Sequence, residues 1–187
     1  MINQLRPLGL MVFCLIYTSV VALAPTLSIG IAVGPPLVWP AAGVYFAYLM
    51  LSPMREWWKL IGLVFICGIV GNSLGNVPLH PHLLLSWTLV SASMTLSAAL
   101  LRYSSERFDE HSVMRAILFV LIGGLVAPTL SAGLSSMVWQ GLMSETQMQA
   151  FRFRFAGSSL GILTVTPFLL SVHAILLRPK SLAAIDQ

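Results

Sequence analysis

The side chains able to do chemistry in this chain are few, and most stand apart from one another. All six carboxylates, Glu56, Glu106, Asp109, Glu110, Glu145 and Asp186, fall outside the long apolar runs or at their ends. Acid–base work by paired carboxylates needs two of them converging on one bond. Proton- or sodium-coupled carriers hold ionisable groups at membrane depth. Neither arrangement is written in this sequence. His80-Pro81-His82 puts two imidazoles in one short loop, but no Cys or carboxylate lies close enough in sequence to complete a ligand set. The loop reads as a polar connection, with no metal and no other cofactor. His173 reads as a hydrogen-bonded or interfacial histidine. Ser158 and Ser159 have no evident His or Asp partner for nucleophilic attack, and no phosphate loop, dinucleotide fingerprint or haem-attachment motif occurs. No catalysis is expected of this chain alone.

The chemistry that remains is that of binding. Asn72 and Asn76 lie four residues apart, hence on one helical face, and a buried amide must be paired. Arg152 and Arg154 alternate with Phe151, Phe153 and Phe155 at the start of the last apolar run. Residues two apart on a helix point to different sides, so at most one of these arginines turns inward. An arginine there, helped by the first peptide N–H groups of its helix, suits a carboxylate or a phosphate. The candidate ligand site is therefore Trp39, Asn76 and Arg154, with Arg154 as the anion-holding group. Headgroup anchoring by both arginines is the alternative.

The elements that must position these groups follow from composition. The chain has 187 residues, 57% hydrophobic and 9% charged, with a mean hydropathy of +0.88. A soluble domain carries about 25% charged residues, so this one cannot cover its apolar surface in water. Disorder is excluded by the same numbers. A spanning helix takes about 20 apolar residues. Six spans are expected, at residues 8–29, 37–52, 57–74, 83–101, 113–139 and 151–177, making one all-α polytopic membrane bundle over residues 1–187. Arg6, the apolar run after it and Ala22-Leu23-Ala24 resemble a secretory signal. Pro25 fits a cleavage site poorly, and the segment is retained as the first span. Pro128 is expected to kink the fifth.

Orientation comes from Lys and Arg. Arg6, Arg55, Lys59, Arg102, Arg107, Arg115, Arg178 and Lys180 fall on one side, and only Arg152 and Arg154 on the other. Eight against two puts both termini in the cytoplasm, with Trp57 and Trp58 as interfacial anchors. The net charge of +4 is thus accounted for by membrane topology, and no basic stripe interleaved with aromatics suggests nucleic acid. Cys14 and Cys67 lie within apolar runs and read as small buried hydrophobes. Gly68, Gly71 and Gly75, then Gly124, Pro128, Ala132 and Ser136, then Gly157 and Gly161 form small-residue seams that let helices approach closely. Residues 34–43, with three prolines and two glycines, suggest ordered extended backbone at the outer interface, which persists only where protein or water covers it.

Trp39-Pro40-Ala41-Ala42-Gly43, opening a short helix, resembles a motif of the first type of bacterial integral membrane-associated sensor domain. Gly157-Ser158-Ser159-Leu160-Gly161-Ile162-Leu163-Thr164-Val165-Thr166-Pro167 is similar to that family's last helix, with Gly71-Asn72 and Ser131-Ala132-Gly133 between them in the expected order. The resemblance implies structural motif roles for Trp39, Pro40, Gly43, Gly71, Asn72, Gly157, Gly161 and Pro167. It implies a sensory input module in the bacterial inner membrane that detects a periplasmic or membrane signal. The output would be a cytoplasmic histidine kinase, diguanylate cyclase or cyclic-di-GMP phosphodiesterase, fused beyond Gln187 or acting as a separate partner. The other partners are the lipid bilayer and, as an open option, a second copy of the chain. The chain departs from the family pattern around Gly157, where an aromatic pair and an Asp are matched by Arg154, Phe155 and Ser158. A small solute-binding or transport component is the competing expectation.

Overall fold

The computed structural model describes residues 7–26, 39–105, 113–138 and 147–176. Residues 34–38 of the proline-rich stretch, and both chain ends, lie outside the described residues. Every regular element among the described residues is helical. The helices are α1 (Pro7–Leu23), α2 (Pro40–Leu51), α3 (Trp57–Leu74, after a 3-10 turn at Met54–Glu56), α4 (Pro81–Ser105), α5 (Val113–Val138) and α6 (Gln147–Leu176). Met54–Leu74, Pro81–Ser105, Val113–Val138 and Phe151–Leu176 are long and apolar enough to cross a membrane. The remaining two, α1 and α2, are apolar but shorter.

Proline and glycine set the boundaries. Helices α1, α2 and α4 each begin at a proline, whose missing N–H would have no helical partner there in any case. Pro53 holds Ser52 extended (φ −100°, ψ 145°), which ends α2. Helix α3 ends in a Schellman cap. Asn76 takes the left-handed conformation at φ 54°, Val77 N–H donates to the Asn72 carbonyl at 2.9 Å, and Asn76 N–H donates to that of Ser73 at 3.3 Å.

Helix α5 is not a simple kinked helix. Val113–Leu118 is α-helical, Phe119–Val126 is π-helical, and Ala127–Val138 is α-helical again. The widened stretch ends just before Pro128, which sits in the first turn of the second α-helical part, where a proline ring is tolerated. A proline there cannot donate to the carbonyl four residues back, at Gly124. The Ser159 hydroxyl of α6 donates to that carbonyl instead, at 2.6 Å.

The short helix α2 is the centre of the bundle. Every residue from Ala41 to Leu49 is buried, which is what an element apolar all round requires. Its main neighbour is α6, and α1, α3 and α4 also touch it. The remaining large interfaces are α1 with α3, α4 with α5, and α5 with α6. The outer faces carry exposed Leu8, Met11 and Leu15 on α1 and Leu121 and Leu125 on α5. Apolar surface on this scale is a lipid-facing surface rather than a water-facing one.

Glycine contacts fix the direction of two interfaces. A Cβ on Gly71 would press on Val21 and the Thr18 carbonyl, and one on Gly75 on the Ala22 carbonyl. Contacts advance together along both chains, so α1 and α3 run parallel. The same holds for α2 and α6, where Trp39 meets Gly157 and Gly43 meets Gly161. The α3 seam divides between partners, since Gly68 faces the Trp87 ring of α4 while Gly71 and Gly75 face α1.

Candidate functional site

The two segments that carry the family resemblance meet in space. Trp39 stands immediately before α2, and its backbone N–H donates to the Gly157 carbonyl of α6 at 2.9 Å. One turn further along α6, Gly161 lies directly against the Trp39 carbonyl, and a Cβ there would overlap its oxygen. Gly43 in turn lies against the Gly161 carbonyl and the Cβ of Val165. Thr166, fully buried, donates its hydroxyl to the Gly43 carbonyl at 3.0 Å. Glycine at these positions is a matter of backbone approach, since no side chain fits between the helices. Pro40 supplies the fixed first turn of α2, and Pro167 lies one residue beyond Thr166 within α6.

Arg154 precedes Gly157 by three residues, so it shares the α6 face that meets Trp39. Arg154 is half-buried with its Nε enclosed, whereas Arg152 is exposed. Only one of the pair turns toward protein. Phe151 and Phe155, on the same helix, stack at 6.0 Å between ring centres. The helix-end contribution expected for this arginine is corrected by the structure. Helix α6 begins at Gln147, so Arg154 lies in its third turn, beyond the reach of the terminal N–H groups.

Asn76 is not brought to this junction. It lies exposed at the cap of α3, and Gly75 beside it abuts Ala22 and Pro25 at the end of α1. Helix α3 packs mainly on α1, and α6 on α2 and α5. Its neighbour Asn72 is buried and turns its amide back onto its own helix, donating to the Gly68 carbonyl at 3.0 Å. His80 and His82 are both exposed, and among the described residues no three His, Cys, Asp or Glu side chains converge. His173 is half-buried on α6.

A second polar cluster, which the sequence did not announce, closes the far end of α2. Trp57 Nε1 donates to the Leu49 and Ser52 carbonyls at 3.0 and 3.2 Å, and Arg102 Nη2 reaches the Met50 carbonyl at 2.6 Å. The Arg102 guanidinium lies 5.6 Å from the Trp57 ring centre. These donors satisfy the last carbonyls of α2, and the cation complements its negative end. Glu56, buried, lies 3.6 Å from Lys59 Nζ. Of the two tryptophans expected at the interface, Trp58 is exposed but Trp57 is buried in this cluster. Its only sequence signal was a Trp following the Ser52-Pro53 helix stop.

Compared with known proteins, the chain matches no family model, no curated protein and no solved structure.

Proposed function

We propose that this chain is a membrane-embedded sensory input module of the bacterial membrane-associated sensor type. It crosses the inner membrane six times with both ends in the cytoplasm. It performs no catalysis itself and passes a periplasmic or membrane signal to a cytoplasmic kinase, cyclase or phosphodiesterase. The observation that carries this reading is the junction of Trp39, Pro40 and Gly43 with Gly157, Gly161 and Thr166. Two segments so far apart in sequence, each resembling one family's pattern, would have no reason to share a backbone interface unless that interface were what their glycines serve. The topology draws support from the parallel pairs. In a chain that alternates direction at each crossing, first and third spans run alike, as do second and sixth.

Trp39 and Arg154 form the input site in this reading, taking a carboxylate or a phosphate from the outer face. Helix α2, about 18 Å long from its rise per residue, connects that site to the Arg102–Trp57 cluster at the opposite side. The test joins Gln187 to a diguanylate cyclase domain and measures cyclic-di-GMP against a panel of periplasmic carboxylates and phosphate esters. Stimulus-dependent output from this fusion is expected. Output that ignores every compound, together with a vitamin-sized solute retained by the purified chain, would replace the sensor with the transport reading. Alkaline-phosphatase fusions after Arg107 and Gln187 are expected to be inactive, and activity at either point would refute the six-span topology.

A further inference from the structure

We infer that Cys14 and Cys67 form a dithiol site that a membrane-soluble quinone oxidises to a disulfide, tying α1 to α3. The packing register places Cys14 and Cys67 together. Thr18 faces Gly71 and Ala22 faces Gly75, so one turn earlier on each helix the same spacing sets Cys14 opposite Cys67. Both are free thiols, one half-buried and one buried. The glycine seam beside them brings the two backbones into contact, and a disulfide requires Cα atoms only about 4.4–6.8 Å apart.

The choice of oxidant follows from the position. Each cysteine lies near the middle of its helix. Cys14 borders Met11 and Leu15, both on the exposed apolar side of α1. A water-soluble oxidant has no path there, whereas a quinone dissolved in the bilayer reaches that face. The Cys14 sulfur bonds to a quinone ring carbon, and the Cys67 sulfur then attacks the Cys14 sulfur. As the S–S bond forms, the S–C bond breaks and its electron pair stays with the ring. The two thiol protons end on the quinol oxygens, so two thiols are oxidised and one quinone is reduced.

The experiment uses the full chain in lipid vesicles with a short-tailed ubiquinone analogue, followed by denaturation, alkylation of free thiols and mass spectrometry. Both thiols are expected to be lost together, with no added quinone mass and full recovery on reduction. Cleavage at methionine, which cuts at Met50 and Met54, is expected to leave the two cysteine fragments joined until reductant is added. Cys14→Ser and Cys67→Ser each abolish the linkage. Complete alkylation of both thiols after quinone treatment overturns the proposal, as does a stable quinone adduct. Cross-linking between two copies through Cys14 would also overturn it, since it would show that Cys67 is not the partner.

Discussion

The hydroxyl of Thr166 donates to the carbonyl of Gly43 at 3.0 Å, joining two helices whose sequences stand 123 residues apart. Gly43 leaves its carbonyl reachable because it carries no side chain, and Thr166 is fully buried against it. The bond belongs to a ladder of backbone approaches that starts at Trp39 and Gly157. In lipid, where water does not drive helices together, such close packing and interhelical hydrogen bonding are what association draws on.

This predicts a sharp contrast among glycines. Gly43→Ala and Gly161→Ala each force a methyl group into an opposing carbonyl that has no room to withdraw. Overpacking of this kind costs about 1–3 kcal/mol. Gly62, by contrast, has open space where its Cβ would be. Gly62→Ala is expected to be neutral or stabilising, since alanine is favoured over glycine in a helix by about 1 kcal/mol. Thermal unfolding in detergent checks the ranking. Equal effects at all three positions would remove the junction from the account.

The π-helical stretch of α5 yields a coupling prediction. Pro128 cannot bond the Gly124 carbonyl, and Ser159 does so at 2.6 Å. Ser159→Ala leaves that buried carbonyl without its donor, at a cost of about 1–2 kcal/mol. With Pro128→Ala an N–H becomes available and the helix can tighten. The serine should then matter less. A double-mutant cycle is expected to give a coupling of about 0.5 kcal/mol or more. Strict additivity would show that the proline and the serine act independently.

Much of the helical layout was readable from the sequence because proline and hydropathy act locally. Pro40 and Pro53 stand at or next to helix boundaries in both, whereas Pro81 and His82, read as part of a loop, open α4. Small-residue seams were also visible, because glycine spacing alone reports which face can come close. Which neighbour receives that face was not visible, since partner choice is a property of the whole bundle. Thus Gly68 faces Trp87 while Gly71 faces α1. Asn72 and Asn76 shared a predicted face, yet one bonds its own helix and the other leaves helical geometry altogether. A cap conformation depends on where the helix stops, and hydropathy does not mark that residue. Likewise Pro128 signalled a distortion, but not that the helix would widen over eight residues before it.

Asn76 can be tested on that ground. Its φ of 54° is tolerated by asparagine and preferred by glycine. Asn76→Gly is expected to preserve or slightly raise stability, and Asn76→Val to lower it by about 1–2 kcal/mol, the cost of left-handed geometry for a residue with a bulky Cβ. If Asn76→Gly instead abolished stimulus response in the cyclase fusion while stability held, the amide would be serving a ligand and not only the cap.

Arg154 is the residue on which the input site stands or falls. It is half-buried on the face of α6 that meets Trp39, while Arg152 two residues earlier is exposed. Burial of the shared face gives the two arginines unequal surroundings. Arg152, being exposed, is free to act as a headgroup anchor, the role in which a stem lies along apolar surface with its charge outward. Arg154, one turn before Gly157 on the same face, is in the proposed input site the group from which a carboxylate or phosphate would gain charge-assisted hydrogen bonds. Loss of such a bond costs about 1.5–3 kcal/mol. Arg154→Ala should therefore raise the half-maximal concentration of an anionic stimulus by about 10- to 100-fold, from the same energy range. Arg154→Lys keeps the charge but loses the planar fork, and should fall between. Arg152→Ala should leave the response unchanged. All three variants are to be compared at equal membrane abundance in the cyclase fusion. Equal, small effects at positions 152 and 154 would reduce both arginines to headgroup anchors and leave the junction a structural one.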